Sequence, residues 1–147
     1  MYQRILIPTD GSPLSRKAIA HGIALARNLR ASVVGFHARP SYPVAAYGDG
    51  AFLPQGFYDD WDRATAAAAA KFLGQIETAA LKYAIPFKAV RGADPLASDA
   101  LIKAAKREKC DLIVMASHGR HGLTRVLLGS ETMGVLTHSG IPVLVTR

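Results

Sequence analysis

The sequence predicts an α/β fold: one domain in which a parallel sheet is covered by helices. Three observations carry this. Strand-like and helix-like patterns alternate along all 147 residues, the order that builds βαβ units. CDLIVMA, residues 110 to 116, holds an unbroken apolar run, as a central strand buried on both faces requires. No internal repeat or linker divides the chain, and its length suits one domain spanning residues 1–147.

Each element has its own local reason. RILIP, residues 4 to 8, is the first strand and is stopped by Pro8. Ser12 and Pro13 supply an N-cap and a first-turn residue for a helix running to about Leu29. ASVVGFHA, residues 31 to 38, is rich in β-branched and aromatic side chains and forms the second strand. From Arg39 to about Gly56 the chain is loaded with Pro, Gly and Tyr, a long connection of the kind that serves as a lid, a contact segment or a tolerated insertion. The alanine run at 66–70 then favours a long helix from about Tyr58 to Tyr83. IPFKAVRG, residues 85 to 92, is the third strand. Asp94 and Pro95 start a capped helix whose apolar stripe is Ala97, Ala100, Leu101, Ala104 and Ala105. After the fourth strand, Glu131 to about Ser139 forms a short helix, and IPVLVTR, residues 141 to 147, is a fifth strand.

Composition bounds the function. Half the residues are hydrophobic and a fifth are charged, as in a globular protein, and no apolar run approaches the roughly 18 residues of a membrane span. The N-terminal segment lacks the h-region and cleavage site of a secretory signal. Cys110 is the only cysteine, so the expected setting is a reducing cytoplasm, with this thiol as buried packing. The net charge of +7 favours anionic partners without choosing among them. KAAKREK, residues 103 to 109, reads as a solvated helix face, without the interleaved aromatics or the motif of a nucleic-acid reader. Neither nucleic acid nor membrane is therefore expected as a partner.

The chemistry concentrates at two strand ends. The first strand closes in Pro8-Thr9-Asp10-Gly11-Ser12 and the fourth in Ala116-Ser117-His118-Gly119. Ligands of open α/β sheets bind beyond the carboxyl ends of strands where the strand order reverses. If these two strands are neighbours, Asp10 faces the glycine segment across one crevice. Gly119 and Gly122 let the backbone approach a ligand closely, and Gly129-Ser130 opens a helix whose free N–H groups suit phosphate oxygens. The same glycines also suit a plain turn, and Ser130 a plain cap. The segment is neither a Walker loop, lacking GK[ST], nor a GxGxxG fingerprint, and without a phosphate lysine rapid phosphoryl transfer is not expected. No catalytic residue is assigned.

Ala116-Ser117-His118-Gly119, nine residues and then Gly129-Ser130 resemble the G-x-x-G-x9-G-[ST] signature of the universal stress protein family. ILIPTDGS, VRGADP and SGIPVLV resemble its first, third and last strands in the right order, so the resemblance covers the whole chain. It implies a three-layer, Rossmann-like fold of the adenine nucleotide alpha hydrolase type, with an open five-stranded parallel sheet in the order 3-2-1-4-5. It also implies an ATP-binding regulatory protein of the stress response with slow or no hydrolysis. The alternatives are an interaction module with a vestigial pocket and a weak Mg-dependent ATPase. By analogy Pro8, Thr9 and Asp10 lie near ribose and phosphates, Asp10 also near a Mg²⁺ or Mn²⁺ bound with the nucleotide. Ala38 presents its backbone to adenine and Met115 flanks the pocket. Gly119, Gly129, Ser130 and Glu131 cradle the phosphates, largely through main-chain N–H groups. Ala116 departs from the signature, since its methyl is compatible with close phosphates only if the residue keeps strand dihedrals. The last strand, Ile141 to Arg147, implies a homodimer through its exposed edge.

Other residues compete for attention. His118 and His121 stand at H-x-x-H spacing but lack the third and fourth ligands of a transition-metal site. Ser117 beside His118 is not expected to form a pair, because neighbours on a strand face opposite ways. His37 reads as a hydrogen-bonded rim histidine, and the histidines in general as bystanders. Arg120 and Arg125 either touch phosphates or are solvated.

Overall fold

The fold is seen in a computed structural model, which describes residues 1–42, 48, 52–119 and 128–147. Among these residues nine elements follow in chain order: β1 (Arg4–Pro8), α1 (Pro13–Leu29), β2 (Ser32–Ala38), α2 (Phe57–Leu81), β3 (Phe87–Gly92), α3 (Ala97–Arg107), β4 (Leu112–Ala116), α4 (Ser130–His138) and β5 (Val143–Thr146). The strands form one sheet in the order β3-β2-β1-β4-β5. Every pairing is parallel, with Leu6 opposite Val34 on one side and Ile113 on the other. The strand order reverses at β1, so the chain crosses to opposite sides of this strand in its two halves.

The alternation of side chains along the strands builds two separate cores. Ile5, Ile7, Val33, Leu112 and Val114 pack with Ile19, Ile23 and Ala26 of α1 and with Leu73, Ile76 and Ala80 of α2. On the other face Leu6, Val34, Phe36, Ile113 and Met115 meet Leu101, Ala104 and Ala105 of α3 and Val135 of α4. Three layers result. Each fully buried large aliphatic side chain contributes about 1.5–3 kcal/mol relative to exposure. β4 is buried on both faces up to Met115, as its apolar run requires.

Ser12 caps α1 as expected: its Oγ accepts the Ser15 N–H at 3.1 Å, and Pro13 is the first helical residue. The start of α3 differs from the expectation. Leu96 occupies the cap position and no local side chain bonds the first turn. Asp94 instead holds Lys103 at 2.6 Å, nearly two turns inside the helix. Of the KAAKREK face, Arg107 also carries a partner, Glu108. Cys110 is buried, and desolvation pushes its thiol up to about 11, which fits packing rather than reactivity. The long connection after β2 is described only in part, since residues 43–47 and 49–51 lie outside the described set.

Candidate functional site

The turn after β1 is held by a directed chain of hydrogen bonds. The Gly11 N–H donates to Thr9 Oγ1 at 3.2 Å, and Ser15 Oγ donates to the Ser12 carbonyl at 2.9 Å. The Thr9 hydroxyl proton is therefore the one shared with Ser15 Oγ, 3.2 Å away. Asp10 Oδ1 accepts the Ser12 N–H at 2.9 Å, the Asx-turn geometry that aspartate favours at such corners. Gly11 has φ +77°, and a Cβ there would also lie 2.2 Å from the Phe72 ring, so glycine is required twice over. His37 Nδ1 lies 2.8 Å from the Thr9 carbonyl oxygen. A carbonyl only accepts, so Nδ1 carries the proton. His37 is buried and sits edge-on to Phe72, as a rim histidine should. Its bonding partner, however, is the turn that shapes the crevice.

Across from this turn, β4 ends at Ala116, paired with Thr146 in ordinary strand register. Its methyl thus meets the condition under which it is compatible with a nearby ligand. The Ala116 carbonyl accepts Thr132 Oγ1–H at 3.0 Å, which ties the strand end to α4. Beyond the strand, Ser117 Oγ and His118 Nδ1 lie 3.0 Å apart, contrary to the expectation that they face opposite ways. The strand has already ended at Ala116, so strand alternation no longer governs them. Ser117 remains buried, its N–H donating to the Thr146 carbonyl at 2.8 Å and its carbonyl accepting the Gly129 N–H at 2.9 Å. A hydroxyl so enclosed orients the imidazole, and Ser117 itself is not among the residues lining the crevice.

Gly119 brings the two walls into close approach. A Cβ on it would lie 2.4 Å from Asp10 Oδ2. The glycine thus admits the Asp10 carboxylate, a role the sequence reading had given to a ligand. The third wall comes from α3 and α4. Glu131 Oε2 accepts the Ser98 N–H at 2.6 Å, supplying from α4 the cap that α3 lacks in its own sequence. Behind it the helices touch so closely that a Cβ on Gly134 would lie 2.7 Å from Ser98 Oγ.

These walls enclose a crevice of about 610 Å³, part of it open to solvent. Eight of the ten expected residues line it: Pro8, Thr9, Asp10, Ala38, Met115, Ala116, Gly119 and Glu131. Gly129 and Ser130 do not stand on this wall. Gly129 is the N-cap of α4, packed 3.1 Å (measured from a notional Cβ) from His118, and its N–H is already occupied by Ser117. Ser130 is exposed at the first position of α4. The wall also holds residues the sequence reading left out, among them Phe36, Ala97, Ser98, Leu101, Thr132 and Val135. His118 lines it too. Helical periodicity had marked Ala97 and Leu101 as apolar, but nothing in the sequence aimed them at this space. His121, Gly122, Arg120 and Arg125 lie outside the described residues. Among the described residues no cluster of three or more His, Cys, Asp or Glu side chains could hold a metal ion. Among them, too, no helix is long and apolar enough to cross a membrane.

Comparison with known proteins agrees with this fold. The model of the universal stress protein family matches residues 1–147. Universal stress protein MJ0531 of Methanocaldococcus jannaschii is 27% identical over 150 residues, covering 100% of this chain and 83% of its own. The solved structure of MJ0577 superposes with a TM-score of 0.82 at 27% identity, over 99% of this chain and 96% of that one. A universal stress protein in complex with cAMP has the same fold, with a TM-score of 0.71 at 22% identity over 99% and 97% of the two chains. So does the Archaeoglobus fulgidus universal stress protein in complex with dAMP, at 0.70 and 16% over 99% and 98%.

Proposed function

The chain belongs to the universal stress protein family, and from that premise we propose that it binds ATP with Mg²⁺ or Mn²⁺ as a regulatory protein of the stress response, hydrolysing it slowly or not at all. The observation that carries the reading is the crevice at the carboxyl ends of β1 and β4, which brings Asp10, Met115, Ala116 and Gly119 together from distant parts of the chain. This is the position at which open parallel sheets hold nucleotides. The cAMP and dAMP complexes of two relatives of the same fold support an adenine nucleotide as the ligand class. In this reading the base lies toward Ala38 and the phosphates toward Gly119 and the start of α4 at Gly129 and Ser130, and Asp10 faces the bound cation. The whole chain acts as one cytoplasmic domain.

A thermal-shift measurement with ATP and Mg²⁺ tests the reading. At about 100 times Kd a ligand specific for the native state adds about 2.7 kcal/mol, a rise of about 5–10 °C for a domain of this size. An unchanged melting temperature with every adenine nucleotide would leave the interaction-module alternative.

The reading includes a homodimer. β5 is the sheet edge, and Leu144 on it is 43% exposed while Val143 and Val145 are half-buried. Pairing of this strand, within Ile141 to Arg147, with its own copy covers both the edge and Leu144. A monomer by light scattering at micromolar concentration would remove this part.

A further inference from the structure

His37 faces away from the crevice and yet bonds to its rim. Its neighbours on β2, Phe36 and Ala38, line the crevice, so strand alternation sends the imidazole to the other face of the sheet. There it is buried edge-on to Phe72 of α2, with ring centroids 5.4 Å apart. Its Nδ1–H reaches the Thr9 carbonyl at 2.8 Å. Thr9 is only 5% exposed, so this carbonyl needs a donor from the protein. The Thr9 N–H is engaged as well, donating to the Phe36 carbonyl at 2.9 Å. Phe72 meets the turn a second time, since a Cβ on Gly11 would lie 2.2 Å from its ring. The reverse face of the sheet thus grips the turn at Thr9 and at Gly11, the residues on either side of Asp10.

We propose that His37 is a positioning residue of this site, holding the Asp10 carboxylate where it meets a divalent cation carried by the nucleotide. This rests on the nucleotide reading of the site and deepens it. The peptide between Thr9 and Asp10 is planar, so a carbonyl fixed by His37 also fixes the plane from which Asp10 departs. The Ser12 N–H then holds Asp10 Oδ1 at 2.9 Å, and Gly119 backs Oδ2 so closely that even a Cβ there would lie 2.4 Å away. Without the imidazole donor the buried Thr9 carbonyl rotates toward another partner, and the carboxylate moves with it. Groups standing behind a metal-binding side chain set its affinity in this way, commonly by about 10–100-fold.

Two substitutions separate the hydrogen bond from the ring. His37→Phe keeps a ring against Phe72 and removes the donor. His37→Asn removes the ring and keeps an N–H donor as many bonds from the backbone as Nδ1. Calorimetric titration of ATP with Mg²⁺ and of ATP in excess EDTA gives, for each protein, the affinity gained from the cation. In His37→Phe the affinity for ATP with Mg²⁺ should fall about tenfold or more, while that for ATP in EDTA changes by no more than about threefold. His37→Asn should keep the wild-type ratio of the two affinities within about threefold. A ratio lost in Asn as in Phe, or in Asn alone, would overturn the proposal in favour of ring packing. A ratio unmoved in both variants, whatever their melting temperatures, would make His37 a structural residue only and leave the nucleotide reading intact. If ATP binds the wild type equally with and without Mg²⁺, the cation leaves the reading and the role of His37 goes with it. If no adenine nucleotide binds the wild type, the nucleotide reading itself falls.

Discussion

The two ends of the parallel sheet are built from similar residues and put them to opposite use. At the amino ends, polar groups close on one another. Asp111 accepts the Gln3 and Arg4 N–H groups at 2.8 and 2.9 Å, and Arg4 Nη1 donates to the Glu108 carbonyl at 2.9 Å. Lys88 then closes on Glu108 at 2.6 Å. At the carboxyl ends, Asp10, His118 and Glu131 converge on a space instead, each braced from behind by a backbone N–H or a neighbouring side chain. Polar groups that bond each other add stability and leave nothing for a ligand. Groups that line a crevice are placed to meet a ligand. The contrast predicts that substitutions at the carboxyl end act mainly on binding, and those at the amino end on stability alone.

The largest effect is expected at Gly119. A valine there forces the Asp10 carboxylate out of its place, since even a Cβ would lie 2.4 Å from Oδ2. Nucleotide affinity should fall more than about 100-fold, or about 2.7 kcal/mol, by calorimetry. Folding should suffer only about 1 kcal/mol, the worth of one hydrogen bond, because the displaced atom is the far end of a side chain. A variant that instead unfolds would show that this end, too, is chiefly structural.

Much of this contrast was legible in the sequence, and the exceptions share a cause. The β1 strand, the Ser12 cap and the buried run of β4 follow from local pattern, and the structure has them at Arg4–Pro8, Ser12 and Leu112–Ala116. The meeting of Asp10 with the Gly119 segment needed only the neighbouring of β1 and β4. What could not be read were contacts between side chains and backbone far apart in sequence. The Glu131 cap on Ser98 spans 33 residues and the His37 bond to the Thr9 carbonyl spans 28. The uncapped start of α3 was the available clue, because a helix without a local cap must find its acceptor elsewhere. Asp94 hid that clue by looking like a cap. Ser117 and His118 differ from the expectation for another reason, since both lie past the strand's end at Ala116, where alternation no longer holds.

Asp111→Ala should have a smaller effect, confined to stability. It removes a charged acceptor from two backbone N–H groups that fasten the start of β1 to the turn before β4. The site is partly exposed and water replaces some of what is lost, so a cost of about 1–2 kcal/mol is expected, or about 3–6 °C in Tm. The ATP affinity of the folded variant should stay within about twofold of the parent protein. A larger change in affinity would mean that strain passes along β1 from one end of the sheet to the other, and the division between the ends would then be wrong.

Glu108→Gln should have the smallest effect, visible only in acid. The Lys88 ammonium holds the Glu108 carboxyl below the ordinary glutamate range, against the opposing push of desolvation, and Arg107 adds to the lowering. The folded-state value thus lies below the unfolded one. Its contribution is complete above the unfolded value of about 4.3 and is lost as pH falls through the lower folded value. Denaturant titrations between about pH 6 and 3 should show the wild type losing more stability than Glu108→Gln over this window, and the two running parallel above it. Since Lys88 is mostly exposed, the difference should not exceed the ~1 kcal/mol typical of surface ion pairs. Nucleotide affinity measured at neutral pH should be the same in both proteins, because Glu108 bonds at the end of the sheet where polar groups already satisfy one another. A pH-dependent gap that appeared in nucleotide affinity but not in stability would invert the assignment of the two ends.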